Sequence, residues 1–553
     1  MDPTQAIHAI DATLRKLGFS YAGPGACDYD GVISVSGLKL DIHLSVSDTT
    51  FLQLPTATLK NPQQVPPGRM GHVIVDNSIC YASEHGLLLD MYKPGESILR
   101  VVDEIHRTLD VSEVKVSQSV AEEFQLYWKS QKRVRFMLPS QHMVGPLKAF
   151  KFFAENYDGY QFEVISSKNK LKGHRVFDVS KVLVWFLPEI IGTGGNIRCP
   201  RDLEEFKLWL MSQNLPSNCK WKDVLFFLNN GRSFFVSAPN AVVGCSLKSA
   251  LKGKMRSFTG NHAVRSTGKL TSRKFRNVEI DRLSGILTSF QDVTSRNNLL
   301  SNCLMDVSVA LIGCGTIGGF LSRMLVQSGF GLGNGVLTIV DKGILEPGNI
   351  GRHFLGFDYL GQRKVTALKK ELERFHPDVK IKAINADVKD VWNDLRKHQL
   401  IIDVTGEWNV QCALNDRFLN DQTGKVQAVL HAWVVMNGAS VQSFLNLDDD
   451  FACFRCLRPE MGEDWRYPGA KKDVQLELQP ATCGDDPYAA FSVDCSVMSA
   501  SLAARSALDW ATGKPGKRLR TIVIDDDRGR FHRNLSPVPS KRCPACARLR
   551  ERH

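Results

Sequence analysis

The chain has 553 residues, 43% hydrophobic and 23% charged, an ordinary globular composition at a length that exceeds a single hydrophobic core and suggests about three units. It contains no run of about 18 or more apolar residues that could cross a bilayer, and its opening stretch carries acidic residues where a secretory signal has a basic patch and an apolar core, so a cytoplasmic protein is expected. The net charge of +12 comes from scattered Lys and Arg, with short clusters at 129–135 and 514–518, which favours a solvated surface over a nucleic-acid partner.

Ile7, Ile10, Leu14 and Leu17 recur at helical spacing after Pro3 and predict a first helix. Strand-like runs follow at 31–36, 38–46 and 51–54. Then come a Pro/Gly-rich stretch at 61–71, a short apolar run at 73–75 and a second helix over 96–109. Residues 1–112 are therefore expected to form a small α+β domain. Residues 113–295 mix helical and strand patterns (120–129, 181–187, 203–211) without spacing that carries chemistry, and predict a folded linker domain with an exposed loop at 252–276. From Val307 apolar β-branched runs at 307–312, 336–340, 381–386 and 400–404 alternate with helical segments, one over 364–375 and a last one over 497–508. Such alternation predicts a doubly wound α/β domain over 296–553, its parallel sheet covered on both faces.

Gly313, Gly315 and Gly318 sit in a G-x-G-x-x-G pattern between a buried strand and a helix, where glycine lets backbone N–H groups approach phosphate. Asp341 ends the next strand, 23 residues after Gly318, in position to bond a ribose hydroxyl. These features alone suit an NAD-dependent dehydrogenase as well as an ATP enzyme. The following stretch favours ATP: Asn349, Arg352, Lys364 and Asp403 offer cations for migrating phosphate charge and a carboxylate for Mg²⁺, which hydride transfer does not need.

Fourteen cysteines without an export signal are expected to be reduced thiols. Cys453 and Cys456 form one C-x-x-C pair, and Cys543 and Cys546 another. Together they could supply four thiolates to one Zn²⁺ across a gap of 86 residues, tying the C-terminus to the core. A redox role is the alternative. Cys483 lies between the pairs in a polar, turn-rich loop with Ala481 and Gly484 beside it, whereas Cys495 precedes the last helical run and is expected to pack against the core. Cys80 follows the Pro-rich stretch; taken alone it reads as a buried structural cysteine.

The ordered set Asp341, Asn349, Arg352, Lys364 and Asp403 behind the glycine loop resembles the ubiquitin-activating enzymes and their bacterial relatives that adenylate sulfur-carrier proteins (the ThiF/MoeB type), over about residues 300–550. That resemblance implies that Asp341 holds the ribose, that Asn349, Arg352 and Lys364 contact phosphates, that Asp403 positions Mg²⁺, that the four cysteines hold structural zinc, and that Cys483 takes the acyl group from AMP. His353 and Gly406 depart from the family pattern of Gln and a second Asp. The family also implies a homodimer, with Arg282 or Arg296 reaching the partner subunit's nucleotide site.

At the N-terminus, 76–80 resembles the active-site loop of ubiquitin-conjugating enzymes, and 92–96 the turn before their next helix, which makes Cys80 a second thioester cysteine. His72 stands where that family has its oxyanion asparagine, and an imidazole N–H could take over the donor role. The whole chain resembles bacterial fusions of the two enzyme types found in CBASS anti-phage operons. It implies ATP-dependent activation of a protein C-terminus, that of a cGAS-like nucleotidyltransferase or a ubiquitin-like protein, and its conjugation to a target amine. The chief rival is a sulfur-carrier adenylyltransferase whose N-terminal domain only binds a partner; a nucleotide-sensing scaffold is a third reading.

Overall fold

The computed structural model describes residues 2–23, 27–35, 37–61, 72–73, 77–81, 87–109, 124–128, 130, 132–138, 143–156, 159–168, 174–192, 199–248, 278–295, 304–421, 423–479 and 488–547. The chain divides into two units, Met1–Leu287 and Thr288–His553. No helix among the described residues is long and apolar enough to cross a membrane.

The first unit opens with α1 (Pro3–Lys16), which the Asp2 side chain caps by accepting the Thr4 N–H, with Pro3 in the first turn. Ile10 and Leu14, one turn apart, are fully buried, but Leu17 is 36% exposed because it is the C-cap residue, where the helix has ended. Four antiparallel strands follow in sequence order: β1 (Ser20–Tyr21), β2 (Asp28–Val35), β3 (Leu38–Ser45) and β4 (Thr56–Leu59). The strand expected at 51–54 is instead a turn. Asp48 accepts the N–H groups of Thr50 (2.8 Å) and Gln53 (3.1 Å), Phe51 takes φ +59°, and pairing resumes only at Thr56. Helix α2 (Pro94–Leu109) lays Ile98, Val101 and Ile105 on the sheet residues Ile33, Leu40, Ile42 and Leu44. Each such side chain contributes about 1.5–3 kcal/mol of burial.

The middle of this unit is a closed barrel of seven strands: β5 (Lys132–Met137), β6 (Gly145–Glu155), β7 (Gln161–Ser166), β8 (Arg175–Phe186), β9 (Phe234–Ser237), β10 (Val242–Leu247) and β11 (Ile280–Leu287), in the order β10-β11-β5-β7-β6-β8-β9. One apolar cluster draws on all seven strands, including Val134, Ala149, Ile165, Val184, Phe235, Val242 and Leu283, and so fills the interior. The alternate residues Leu183 and Trp185 of β8 pack outward under α4 (Leu203–Met211) and α5 (Trp221–Asn229), beside the short α3 (Phe124–Tyr127).

The second unit carries a seven-stranded sheet built from β12 (Val309–Ile312), β13 (Leu337–Val340), β14 (Ile381–Ile384), β15 (Leu400–Asp403), β16 (Ala428–Val435), β17 (Ser440–Leu447) and β20 (Leu519–Val523), in the order β14-β13-β12-β15-β16-β17-β20. A two-stranded ribbon, β18 (Leu478–Gln479) and β19 (Tyr488–Ala489), stands apart from it. Pairing is parallel through β16 and antiparallel for the last two strands, so the expected parallel sheet ends in an antiparallel edge. Val309 and Leu311 join the cluster under α7 (Thr316–Ser328), α8 (Lys364–Phe375) and α11 (Val493–Ala511). Ala310 and Ile312 join the opposite one, under α9 (Trp392–Leu395) and α10 (Trp408–Leu419). A further short helix, α6 (Phe290–Ser295), leads into the unit.

Candidate active site and metal centre

The register of β12 pairs Ile312 with both Val340 and Asp403, so the carboxyl ends of β13, β12 and β15 lie level and Gly313 emerges between them. This is the switch point of the sheet, where a doubly wound fold leaves a crevice. Gly313 has φ +90°, and a Cβ on Gly318 would lie 1.8 Å from the Gly313 carbonyl oxygen, so both positions require glycine. Gly315 begins α7 with no side-chain cap and with open space around its Cα, leaving the first N–H groups of a 13-residue helix for an anion.

Asp341 stabilises this loop directly. Its Oδ2 accepts the Cys314 N–H at 2.7 Å and its Oδ1 accepts the Gly343 N–H at 2.6 Å. Lys364, the first residue of α8, donates its N–H to the Gly343 carbonyl, and its Nζ would lie 3.5 Å from a Cβ placed on Gly343. Asn349 closes the 346–349 turn, its Oδ1 accepting the Glu346 N–H at 3.1 Å. The Arg352 guanidinium lies 5.2 Å from the Tyr488 ring and 4.6 Å from the Phe491 ring. Its Nη1 donates to the Ala489 carbonyl, while its buried Nε has no partner. His353 is buried: Nδ1 accepts the Leu355 N–H at 2.9 Å, so Nε2 carries the proton and donates to the Cys314 carbonyl at 2.8 Å. Burial holds its pKa below the usual histidine value, and pushes the Cys314 thiol well up.

Asp403 differs from the Mg²⁺ carboxylate that the resemblance implies. It is fully buried; Oδ1 accepts the Thr405 N–H (3.1 Å) and hydroxyl (2.8 Å), and Oδ2 lies 3.0 Å from Nδ1 of the equally buried His431, its cross-strand neighbour. With both oxygens turned inward it organises the turn into α10 and does not fit direct contact with a cation. The exposed carboxylate on that turn is Glu407.

Cys453, Cys456, Cys543 and Cys546 are buried, with their sulfurs within 4.8 Å of one another. The sulfur separations are 3.9 Å (Cys453–Cys456), 3.7 Å (Cys453–Cys543) and 3.4 Å (Cys456–Cys546). Four sulfurs tetrahedral about one ion at ~2.3 Å stand ~3.8 Å apart, far beyond a disulfide bond, so the donor set fits zinc. The Ser540 N–H points at the Cys456 sulfur from 3.4 Å and would orient that thiolate and share its charge.

In the first unit, residues 77–79 pair with β4 and 73 with 79; the Ile79 N–H bonds the Ala57 carbonyl and the Cys80 N–H bonds the His72 carbonyl at 2.8 Å. Ile79 and Tyr81 are buried in the sheet–helix core, so the alternation turns Cys80 outward, to intermediate exposure. His72 is thus brought beside Cys80, buried, in the left-handed region at φ +65°. Cys483 and Arg296 lie outside the described residues. Arg282 sits on β11, its Nη1 donating to the carbonyls of Cys199 and Pro200. Cys495 is buried at the start of α11, as expected. Sequence reasoning missed the buried contacts that His353 and His431 make with the glycine loop and with Asp403. The signal for His431 was a lone polar residue in an apolar run that pairs with Asp403.

Residues 294–545 match the ThiF family, and residues 8–137 match the prokaryotic E2 family B. Over 583 aligned positions, covering 99% of this chain and 100% of the relative, the sequence is 27% identical to the ATP-dependent ubiquitin transferase-like protein Cap2 of Pseudomonas aeruginosa (strain BWHPSA011 / Pa011). It is 25% identical, over 91% of each chain, to the protein of the same description from Escherichia coli (strain TW11681). Among solved structures, that of E. coli MccB with ATP superposes with a TM-score of 0.35 at 16% identity, covering 52% of this chain and 85% of that one.

Proposed function

Because the chain fuses a prokaryotic E2-type segment to a ThiF-family segment, which makes it an ATP-dependent adenylyltransferase and conjugating enzyme, we propose that it activates a protein C-terminus and carries it through two thioesters. The observation that supports this most is the cradle at the end of β12: an uncapped helix N-terminus, two obligatory glycines and the orphaned Nε of Arg352 around one crevice.

In this reading ATP phosphates lie on the N-terminus of α7 with Arg352, Asn349 and Lys364 around them, and Asp341 accepts from the ribose. A carboxylate oxygen of the substrate C-terminus attacks the α-phosphorus; the bond to the β-phosphate oxygen breaks and pyrophosphate leaves. The thiolate of Cys483 attacks the acyl carbon of the resulting adenylate and expels AMP. Cys80 then takes the acyl group by thioester exchange, releasing the Cys483 thiolate, and a lysine amine attacks the second thioester to give an amide, a proton and free Cys80. His72 beside Cys80 donates to the developing oxyanion. Mg²⁺ would screen the phosphate charge, and to it we assign Glu407, the exposed carboxylate on the turn after Asp403; zinc held by Cys453, Cys456, Cys543 and Cys546 would fasten the C-terminus to the sheet. We assign residues 1–112 to the conjugating domain, 113–295 to the linker and 296–553 to the adenylation domain. The chain works in the cytoplasm as a homodimer, on a cGAS-like nucleotidyltransferase or a ubiquitin-like protein, in anti-phage defence.

The test is to incubate the wild-type chain, Cys80→Ala and Cys483→Ala with ATP and a cGAS-like nucleotidyltransferase as the partner protein, on non-reducing gels. Cys483→Ala should lose both thioesters, and Cys80→Ala should keep the first and lose the conjugate. A Cys80→Ala protein with unchanged adducts and products would leave the N-terminal segment as a partner-binding module only, as in a sulfur-carrier adenylyltransferase.

A further inference from the structure

His431 and Asp403 form a dyad with no solvent exposure, their contact 3.0 Å long, in the middle of the sheet. A buried carboxylate is costly unless it is fully bonded, and Asp403 is, by His431 on one oxygen and Thr405 on the other. That bonding shapes the turn from Asp403 to Trp408. The turn abuts the glycine loop: a Cβ on Gly313 would lie 3.3 Å from both the Val404 carbonyl carbon and the Thr405 nitrogen, and one on Gly318 would lie 3.3 Å from Val404 Cγ2. Any shift of the turn is therefore a shift of the wall behind the loop, since packed interiors transmit displacement.

One side chain grips both ends of this turn. Phe454 is fully buried; its ring lies 4.4 Å from the His431 ring and 5.6 Å from that of Trp408, where α10 begins. Its N–H donates to Asn415 Oδ1 on α10 at 2.9 Å. Phe454 is also the residue after Cys453, inside the first cysteine pair. The contacts therefore run without a gap from the four-cysteine cluster through Phe454 and His431 to Asp403, Thr405 and Gly313.

We infer that His431 is a positioning residue for the nucleotide site, and that through Phe454 the four-cysteine cluster sets the shape, and so the affinity, of that site. The inference rests on the adenylation reading above. His431 touches no reacting atom: it holds Asp403, which holds the turn, which backs the glycine loop. A displacement of about 1 Å at such a wall is enough for a large loss of function.

Calorimetric titration of the full chain with the non-hydrolysable analogue α,β-methylene-ATP and Mg²⁺ reads this directly. Failure of the wild type to bind the analogue would overturn the adenylation reading. With wild-type binding in hand, His431→Leu should weaken affinity about 10-fold. His431→Asn, whose amide N–H can reach Asp403 in place of Nδ1, should recover most of it, and Phe454→Leu should weaken binding in the same direction at unchanged zinc content. Should His431→Leu not fold, Phe454→Leu carries the test. Wild-type affinity in a folded His431→Leu protein, or in Phe454→Leu where that substitution carries the test, overturns the inference.

Discussion

His353 shows how much a single ring nitrogen settles. Since Nδ1 accepts the Leu355 N–H, the remaining proton is on Nε2, and the neutral ring bridges the 353–355 backbone to the Cys314 carbonyl inside the glycine loop. Removing it leaves a buried donor and a buried acceptor unpaired, at about 1–3 kcal/mol each. His353→Ala should therefore lower the Tm and weaken binding of the ATP analogue, while His353→Gln, with one acceptor and one donor, should restore much of both. Protonation would convert Nδ1 from acceptor to donor and break the bridge. Burial lowers the pKa of His353, and likewise that of His398, which bonds the Thr338 hydroxyl. Both groups are neutral in native and unfolded chains above about pH 6.5. Below it the unfolded chain takes up protons first, so stability falls progressively down to the folded pKa values. The Tm should drop between pH 7.5 and 5.5, and by less in His353→Gln; an equal drop in both would remove His353 from the cause. Cys80 gives a test of a different kind. With Ile79 and Tyr81 anchored in the core, its sulfur faces outward, whereas Cys27 and Cys245 are buried and burial raises both thiols. Brief treatment of the native chain with iodoacetamide, read by peptide mass spectrometry, should label Cys80 before Cys27 or Cys245.

At the scale of the element, the glycine loop and α7 are one device. Because a Cβ on Gly318 would sit 1.8 Å from the Gly313 carbonyl oxygen, Gly318→Ala forces the loop and helix apart. It should cost about 3 kcal/mol or more and abolish nucleotide binding, measured by thermal melting and calorimetry; a variant that binds normally would show that the loop has slack. The strand–loop–helix order, and the place of Asp341 after β13, were readable because strands buried on both faces leave continuous apolar runs and glycine spacing is local. Helix α4 coincides with one of the patterned stretches of the middle region, 203–211, whose type the pattern left open between helix and strand. The turn at Phe51 escaped because an Asp side chain three residues earlier competes with strand pairing. The barrel escaped for a deeper reason. Its closure joins β5 to β11 across about 150 residues, and pairing at that distance leaves no local period to read. The inward turn of Asp403 was equally invisible, since it depends on the register that sets His431 opposite it.

Across the whole chain, the second unit depends on a contact between parts far apart in sequence. Residues 453 and 456 follow the sheet strand β17, 543 and 546 lie near the C-terminus, and the cysteine cluster brings their sulfurs together, beside the Arg542 ion pairs with Glu460 and Glu463. The protein interior around the cluster is small: Ala452, Leu419 and Ala545 pack against it, and the segment between β20 and Cys543 contains no further named element. A metal holding such an end contributes its binding free energy to folding, because the unfolded chain cannot preform the site, and closing so long a loop makes the link entropically valuable. Purified protein should therefore contain about one zinc per chain. Cys546→Ser, which leaves three thiolates, should release zinc at moderate chelator concentration, lower the Tm of the second unit by several degrees and leave that of the first unchanged. If Phe454 transmits the state of the cluster to the turn behind Gly313, the same substitution should also weaken the ATP analogue, although it lies on no surface the nucleotide touches. Full zinc loss with wild-type nucleotide affinity would make the cluster a clasp for the C-terminus alone.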